Sequence, residues 1–386
     1  MKQCRLIVAV LLMALCICTA AAADEPLKYT SGDFVYILLE DGTAEITAYT
    51  GKAAELDVPE TLDGYRVTSI GASAFCWCSG IKSLALPEGL TTIGDAAFSW
   101  CHGLTSITIP DSVTCVGANP FMYCSKLTNI RVSPDHVQLA VIDGVLFDET
   151  EQKLICYPCA FRETSYAVPD GTRSIGSHAF HGSRLKSIAL PDTLICLEDF
   201  AFEESDSLTS ITLPDSLVKV GVHPFNNCYK LKRIEVSQNH PVLAVVEDVL
   251  FDQTDKRLIC TTVGFVDASY VVPDGVCIIG DYAFAGRDHL QSITMPDSVV
   301  VIGDYAFQSC DKLASVVLPA GVTSVGAYAF NYCRALKDMR LPDSLVHIGD
   351  AAFDNASGQL CFTVVQGSYA DEWCRSFKQN YIYCND

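Results

Sequence analysis

Basic residues are scarce in this 386-residue chain: 26 Lys and Arg stand against 46 Asp and Glu, a net charge of −20. That balance excludes holding nucleic acid or an anionic membrane by electrostatics, which needs Lys and Arg to displace counterions. Long apolar runs are missing after residues 6–18, and that run is too short to span a bilayer comfortably. No His-Glu-x-x-His, no Gly-x-Ser-x-Gly and no phosphate-cradling glycine loop occurs, so no known catalytic motif points to an enzyme. Clusters of Pro and Gly are missing too, which excludes a disordered linker; both residues recur at regular intervals instead.

At the N-terminus, Lys2 and Arg5 precede the apolar run, and small residues follow at 20–23. This is the pattern of a secretory signal over 1–23, and it predicts a secreted, extracellular protein, with association to the cell surface left open.

The rest of the chain is largely one sentence repeated. Residues 104–126 read LTSITIPDSVTCVGANPFMYCSK, and 208–230 read LTSITLPDSLVKVGVHPFNNCYK. The same frame returns from Leu290 and again from Leu313. A fixed period of this length marks a solenoid, in which one unit cannot bury its apolar face but a stack can. The alternation in L-x-x-I-x-L is that of a strand. Pro ends the strand because it has no N–H to give a ladder, and Asp-Ser or Asp-Gly then turns the chain. In [IV]-G-x-x-[AP]-F, Gly permits an approach that a side chain would block, and Phe fills the interior. The corner phenylalanines, among them Phe75, Phe98, Phe180, Phe284, Phe307 and Phe353, are expected to form a continuous column.

The fold class expected is therefore a β-rich repeat solenoid. It has one strand per coil of ~23 residues, short turns or 3-10 corners on the other side, and two β-hairpin insertions. Residues 24–56 form a loose lead-in and a capping hairpin, with its turn at Asp41-Gly42. The repeats run over 57–359, and 360–386 is a C-terminal cap with a short amphipathic helix. The period breaks twice, between Leu127 and Leu185 and between Leu231 and Leu290. The extra text, LAVIDGVLFDETEQKLICYP and LAVVEDVLFDQTDKRLICTT, reads as hairpins near 133–163 and 237–267.

The frame IPxxVxxIGxxAFxxCxxL resembles the BspA-like leucine-rich repeats of secreted and surface proteins of bacteria and some protists. The DGTAEITAY opening, the DGVLFD hairpin and the GSYADEW ending extend the resemblance over 34–386. It implies a curved solenoid used in adhesion and in binding host proteins or other cells, with no shared catalytic residues. Two departures stand out: Glu247-Asp248 replaces the Asp143-Gly144 turn, and Leu197-Glu198 breaks an Ile-Gly pair.

Outward positions on the expected sheet are the third and fifth of each unit, and serine prevails at the third. Such serines suit either a structural hydroxyl ladder or a flat binding face. On that face Asn129, Arg131, Arg233, Glu235, Asp338 and Arg340 are the candidate partner-binding residues. A second stripe, including Asp95, Asp281, Asp304 and Asp350 after the Gly, suits turn chemistry with carboxylates fanned into solvent, or bridging calcium. The cysteines recur three residues after the corner Phe, as small buried core residues would. Cys374 and Cys384 are the best candidates for a disulfide, Cys156-x-x-Cys159 offers little for metal or redox chemistry, and His178 and His181 read as an exposed or loosely packed pair. Asn355-Ala356-Ser357 is a glycosylation sequon, meaningful only in a eukaryotic secretory route.

Together these readings predict a monomeric extracellular module that binds proteins or glycans, without catalysis, cofactor or metal. A structural spacer solenoid is the alternative, and a hydrolase with an unrecognised site the remote one.

Overall fold

The structure, a computed structural model, describes residues 26–384. The expected signal at 1–23 lies outside the described residues. The described chain falls into two compact units, 26–231 and 232–384.

One coil illustrates how the sequence is used. In the strand Ser106–Thr108 only Ile107 is buried, flanked by outward Ser106 and Thr108. Leu104 and Ile109 are buried on either side. Pro110 ends the strand, and its carbonyl accepts the Val113 amide at 3.1 Å. The Ser112 hydroxyl donates to the Leu90 carbonyl of the preceding coil at 2.6 Å. A two-residue strand, Cys115–Val116, then pairs in parallel with Thr92–Ile93. The corner closes with buried Phe121 and with Tyr123 in the left-handed region at φ 59°. Among the described residues these corners are short turns built on left-handed residues, the first of the two forms expected.

In the unit 26–231, the capping hairpin pairs Phe34–Leu38 with Ala44–Tyr49, and Ala44–Tyr49 pairs in parallel with Tyr65–Ile70, the next rung. The lead-in is not loose. Tyr29–Ser31 adds an antiparallel strand to Phe34–Leu38, because Tyr29 stacks on Tyr36 at 5.4 Å and Ser31 bonds Asp63 at 2.8 Å.

Each insertion is more than a hairpin. Leu139–Ile142, Val145–Asp148 and Lys153–Cys156 form a three-stranded antiparallel meander, and its third strand pairs in parallel with Ser174–Ile175. In the unit 232–384, Leu243–Val246, Val249–Asp252 and Arg257–Thr261 do the same and lead onto Ile278–Ile279. The third strand is itself a rung, so the meander starts a new sheet. Its turn needs left-handed residues at both centres: Asp143 and Gly144 lie at φ 51° and 80°, Glu247 and Asp248 at 51° and 61°. The substituted pair thus keeps the same turn at a conformational cost.

Among the described residues the aromatic column forms in stacks of four rings. In the first unit Tyr49, Phe75, Phe98 and Phe121 follow at 5.5, 5.3 and 5.7 Å. After the meander Tyr157, Phe180, Phe202 and Phe225 follow at 5.2, 4.9 and 5.6 Å. In the second unit Phe284, Phe307, Phe330 and Phe353 follow at 5.3, 5.1 and 5.4 Å. Phe362 and Trp373 close that stack edge-on against Phe353. Trp373 comes from the helix Tyr369–Ser376, capped by the Ser368 side chain on the Asp371 amide. Burying each such ring stabilises its coil by roughly 1.5–3 kcal/mol.

Candidate interaction surface

In each unit the repeat strands turn the predicted outward residues away from the core. Ser83–Ala85, Ser210–Thr212 and Ser315–Val317 each bury only the middle residue. Neighbouring strands pair in register, as Ser269, Tyr270 and Val271 do with Ser292, Ile293 and Thr294. The serines fall into two groups. Those of the turns, Ser112, Ser216, Ser298 and Ser344, donate to a carbonyl of the preceding coil at 2.5–2.7 Å. The sheet-face hydroxyls of Ser83, Ser106, Ser187, Ser210, Ser292 and Ser315 make no protein hydrogen bond among the described residues. They are not a bonded structural ladder; their hydrogen-bonding capacity faces outward.

The predicted charged residues lie at outward strand positions as separate pairs. Arg131 donates through Nε to Asn129 Oδ1 at 3.3 Å. Arg233 meets Glu235 at 3.5 Å, with side chains 71% and 49% exposed. Asp338 and Arg340 are both exposed on the strand Asp338–Arg340. Within the unit 232–384, Arg233 and Arg340 belong to different sheets and do not converge. Each pair is exposed to solvent and of modest strength in isolation.

The aspartates of the acidic stripe are turn residues, exposed at Asp111, Asp192, Asp215, Asp297, Asp343 and Asp350, and several that follow the Gly also tie one coil to the next. Asp95 Oδ1 accepts the Ala118 amide at 2.7 Å, Asp199 Oδ1 the Val222 amide at 2.7 Å, Asp281 Oδ1 the Asp304 amide at 2.8 Å and Asp304 Oδ1 the Ala327 amide at 2.7 Å. Each of these carboxylates reaches one coil forward with one oxygen, and at Asp95, Asp199 and Asp304 the residue is still exposed to solvent. Among the described residues no group of His, Cys, Asp or Glu is arranged to hold a metal ion. The repeated Gly follows from the same contact: a side chain at Gly117, Gly221, Gly303 or Gly326 would collide with that aspartate. At the Ile-Gly departure, Glu198 instead pairs with Lys153 at 2.9 Å and accepts the Ser177 amide at 3.0 Å. Burial alone would raise its carboxyl, but the bonds and charge of Lys153 outweigh this and hold it below the usual range.

The periodic thiols form a ladder. Cys101, Cys124, Cys228, Cys310 and Cys333 each direct Sγ at the carbonyl of the preceding corner Phe, at 3.0–3.3 Å. Ser205 takes the same position and donates to the Phe180 carbonyl at 2.9 Å. Burial pushes the Cys101 and Cys310 thiols up to about 12, so they stay protonated donors and poor nucleophiles. Cys156 and Cys159 are free thiols. Cys374 and Cys384 are also free; Cys374 is fully buried in the helix, while Cys384 sits beyond the last strand with its amide on the Val364 carbonyl.

The histidine pair is not loosely packed. The His181 side chain is fully buried, with its ring edge-on to Tyr123 at 4.0 Å. His178 Nδ1 lies 2.8 Å from Glu203, and Tyr123 donates to Glu204 at 2.9 Å. Asn119 Nδ2 donates to the His178 carbonyl at 2.7 Å, tying the coil before the meander to the coil after it. Burial, against the opposing pull of Glu203, lowers His181 to about 4. Burial would raise Glu203, but hydrogen bonds from His178 and Asn226 hold it below its usual range.

Sequence reasoning missed the aromatic residues at the left-handed corner positions. Trp77, Trp100 and Tyr123 stack at 4.2 and 3.9 Å, and Tyr282, Tyr305 and Tyr328 at 4.5 and 4.9 Å. All six have φ between 55° and 67°, where bulky residues are unusual. Their recurrence at the repeat period was the available signal.

A family model for the BspA type leucine-rich repeat region matches residues 52–165, 155–259 and 268–371, in six copies. Among solved structures, the chain is similar to a leucine rich cell surface protein from Faecalibacterium prausnitzii, with 26% identity over 95% of this chain and 97% of that one, at a TM-score of 0.55. A leucine-rich repeat protein from Eubacterium ventriosum shares 22% identity over 86% of this chain and 95% of that one, at a TM-score of 0.42. The pneumococcal vaccine antigen PcpA shares 16% identity over 93% and 99%, at a TM-score of 0.43. Among curated proteins no sequence matches the chain.

Proposed function

The chain belongs to the BspA-type leucine-rich repeat family, and from that premise we propose that it is an extracellular binding protein, taking protein or glycan partners without catalysis. The observation that carries this reading is the sheet face. Its serine hydroxyls are outward and unused by the protein, and Asn129, Arg131, Arg233, Glu235, Asp338 and Arg340 add charge and shape at intervals. A rigid, polar, preorganised surface binds at low entropic cost. The cell-surface description of the Faecalibacterium protein supports an extracellular setting. Among the described residues no helix is long and apolar enough to cross a membrane.

The test is capture of partners from extracellular-matrix proteins, mucins and surface glycans, with an Arg131→Ala/Arg233→Ala/Arg340→Ala variant alongside. Partners held by the wild type and released by the variant are the expected result. Partners held equally by both would move binding off the sheet face. Capture of nothing at micromolar levels, together with self-association, would favour a spacer solenoid.

A further inference from the structure

One end of the Trp77–Trp100–Tyr123 stack is open. Trp77 rests one ring face on Trp100 at 4.2 Å with planes 13° apart, yet 65% of the residue is exposed. The reason lies in the preceding coil. Tyr49 is the counterpart of Phe75: the rings stack at 5.5 Å, the Tyr49 amide bonds the Ala74 carbonyl, and Cys78 directs its thiol at the Tyr49 carbonyl. Two residues past Tyr49, where the repeat sets Trp77 two past Phe75, the chain has Gly51. Gly51 supplies no ring to continue the stack. A side chain there would run into the Tyr49 hydroxyl and the Asp33 carboxylate, so polar groups crowd the position below the open ring.

The corners do not themselves require these aromatics. At the same left-handed position as Trp77, other coils carry Asn227, Ser309 and Asn355. Asn is among the residues best suited to that backbone, whereas Trp is not. Trp77 therefore stands against local backbone preference, on the surface, with a ring face uncovered.

We propose that the open face of Trp77 above Gly51 is a binding site for a neutral pyranose of an extracellular glycan. The proposal rests on reading the chain as an extracellular binding protein and names one ligand class for it. A pyranose has an apolar C–H face and a rim of hydroxyls. The first matches an aromatic face held rigid by a second ring, and the second matches the exposed Asp33 carboxylate beside Gly51. The net charge of −20 disfavours sulfated or otherwise polyanionic glycans.

The experiment titrates the purified chain with neutral oligosaccharides of glucose, galactose, mannose and N-acetylglucosamine, with heparin as the anionic control, by calorimetry and tryptophan emission. Saturable binding of at least one neutral oligosaccharide is expected, with none of heparin. Trp77→Ala should weaken it about tenfold or more while Trp77→Tyr retains most of it. Because Trp77 is exposed, the thermal midpoint should move little. Saturation-transfer NMR on the wild type should label the C–H protons of one sugar face. Absence of binding by all the neutral sugars, preference for heparin, or equal binding by Trp77→Ala would overturn the site. The triple arginine variant separates the two readings, since it should bind sugar as the wild type does. If protein partners are captured but no sugar binds, the Trp77 site alone falls. If neither binds, the extracellular binding reading falls with it.

Discussion

Removing one ring from the middle of the second unit's aromatic stack should be among the most damaging single changes. Phe307 is fully buried, with Phe284 at 5.3 Å on one face and Phe330 at 5.1 Å on the other, planes 6° and 8° apart. Truncation to Ala loses the transfer energy and leaves a cavity, about 3–5 kcal/mol in total. Two stacking contacts of ~0.5–1.5 kcal/mol each place the loss near the upper end of that range. Phe307→Leu keeps most of the apolar volume but loses the stacking, and should cost about 1–2 kcal/mol. Trp373 packs on Phe353 at 5.7 Å within the same unit and serves as the reporter once Trp77 and Trp100 are replaced by Phe. Urea unfolding followed by its emission should shift to lower midpoint with an unchanged slope. A loss under about 1.5 kcal/mol for Phe307→Ala, or equal losses for Ala and Leu, would refute the reasoning.

The other expectations concern the contacts between coils. Cys310→Ser should cost under ~1 kcal/mol, because Ser205 already fills this slot, while Cys310→Ala removes one of the two donors to the Phe284 carbonyl, which keeps the Arg287 amide at 3.1 Å, and empties the thiol's space, at about 1–2 kcal/mol; denaturation midpoints that do not separate the two would contradict the thiol ladder. Gly303→Ala should cost about 1–3 kcal/mol by forcing the Asp281 carboxylate off its amide, whereas Gly358→Ala, with open space around its Cβ, should cost little; similar melting temperatures would sink this account of the glycine. His181, faced by Tyr123, His178, Glu203 and Glu204, is held neutral down to about 4, while an unfolded His titrates near ~6.5. The unfolded chain therefore binds the extra proton in that window, so the stability is full above ~6.5 and falls toward pH 4, by about 1–3 kcal/mol. His181→Leu should flatten the dependence of unfolding free energy on pH between those limits, and an unchanged slope would clear His181 of the role.

The coil itself was legible because one arrangement is written many times. Pro at the strand end, Phe at the corner and Cys three residues later each recur where local chemistry demands them, and the structure places them accordingly. What stayed hidden depends on the neighbouring coil. Asp95 read alone is a turn residue; only the advance of one coil brings it to the Ala118 amide, and only then does Gly117 become necessary. The strand Lys153–Cys156 reads as half of a hairpin because its pairing with Ser174–Ile175 crosses a loop. His181 reads as a surface residue until Asn119 and Tyr123, from the far side of the meander, close over it. The sheet-face candidates lie at outward strand positions, but sequence carries no measure of whether separate pairs act together.

The most direct test of the central claim, that this is a binding surface and not a spacer, is a quantitative affinity measurement with immobilised extracellular-matrix proteins, mucins and glycans against the purified chain at increasing concentration. The account predicts saturable binding to at least one of them at about micromolar affinity or tighter, near −8 kcal/mol, without dependence on self-association. Responses that never saturate, or that appear only where the chain assembles with itself, would contradict it.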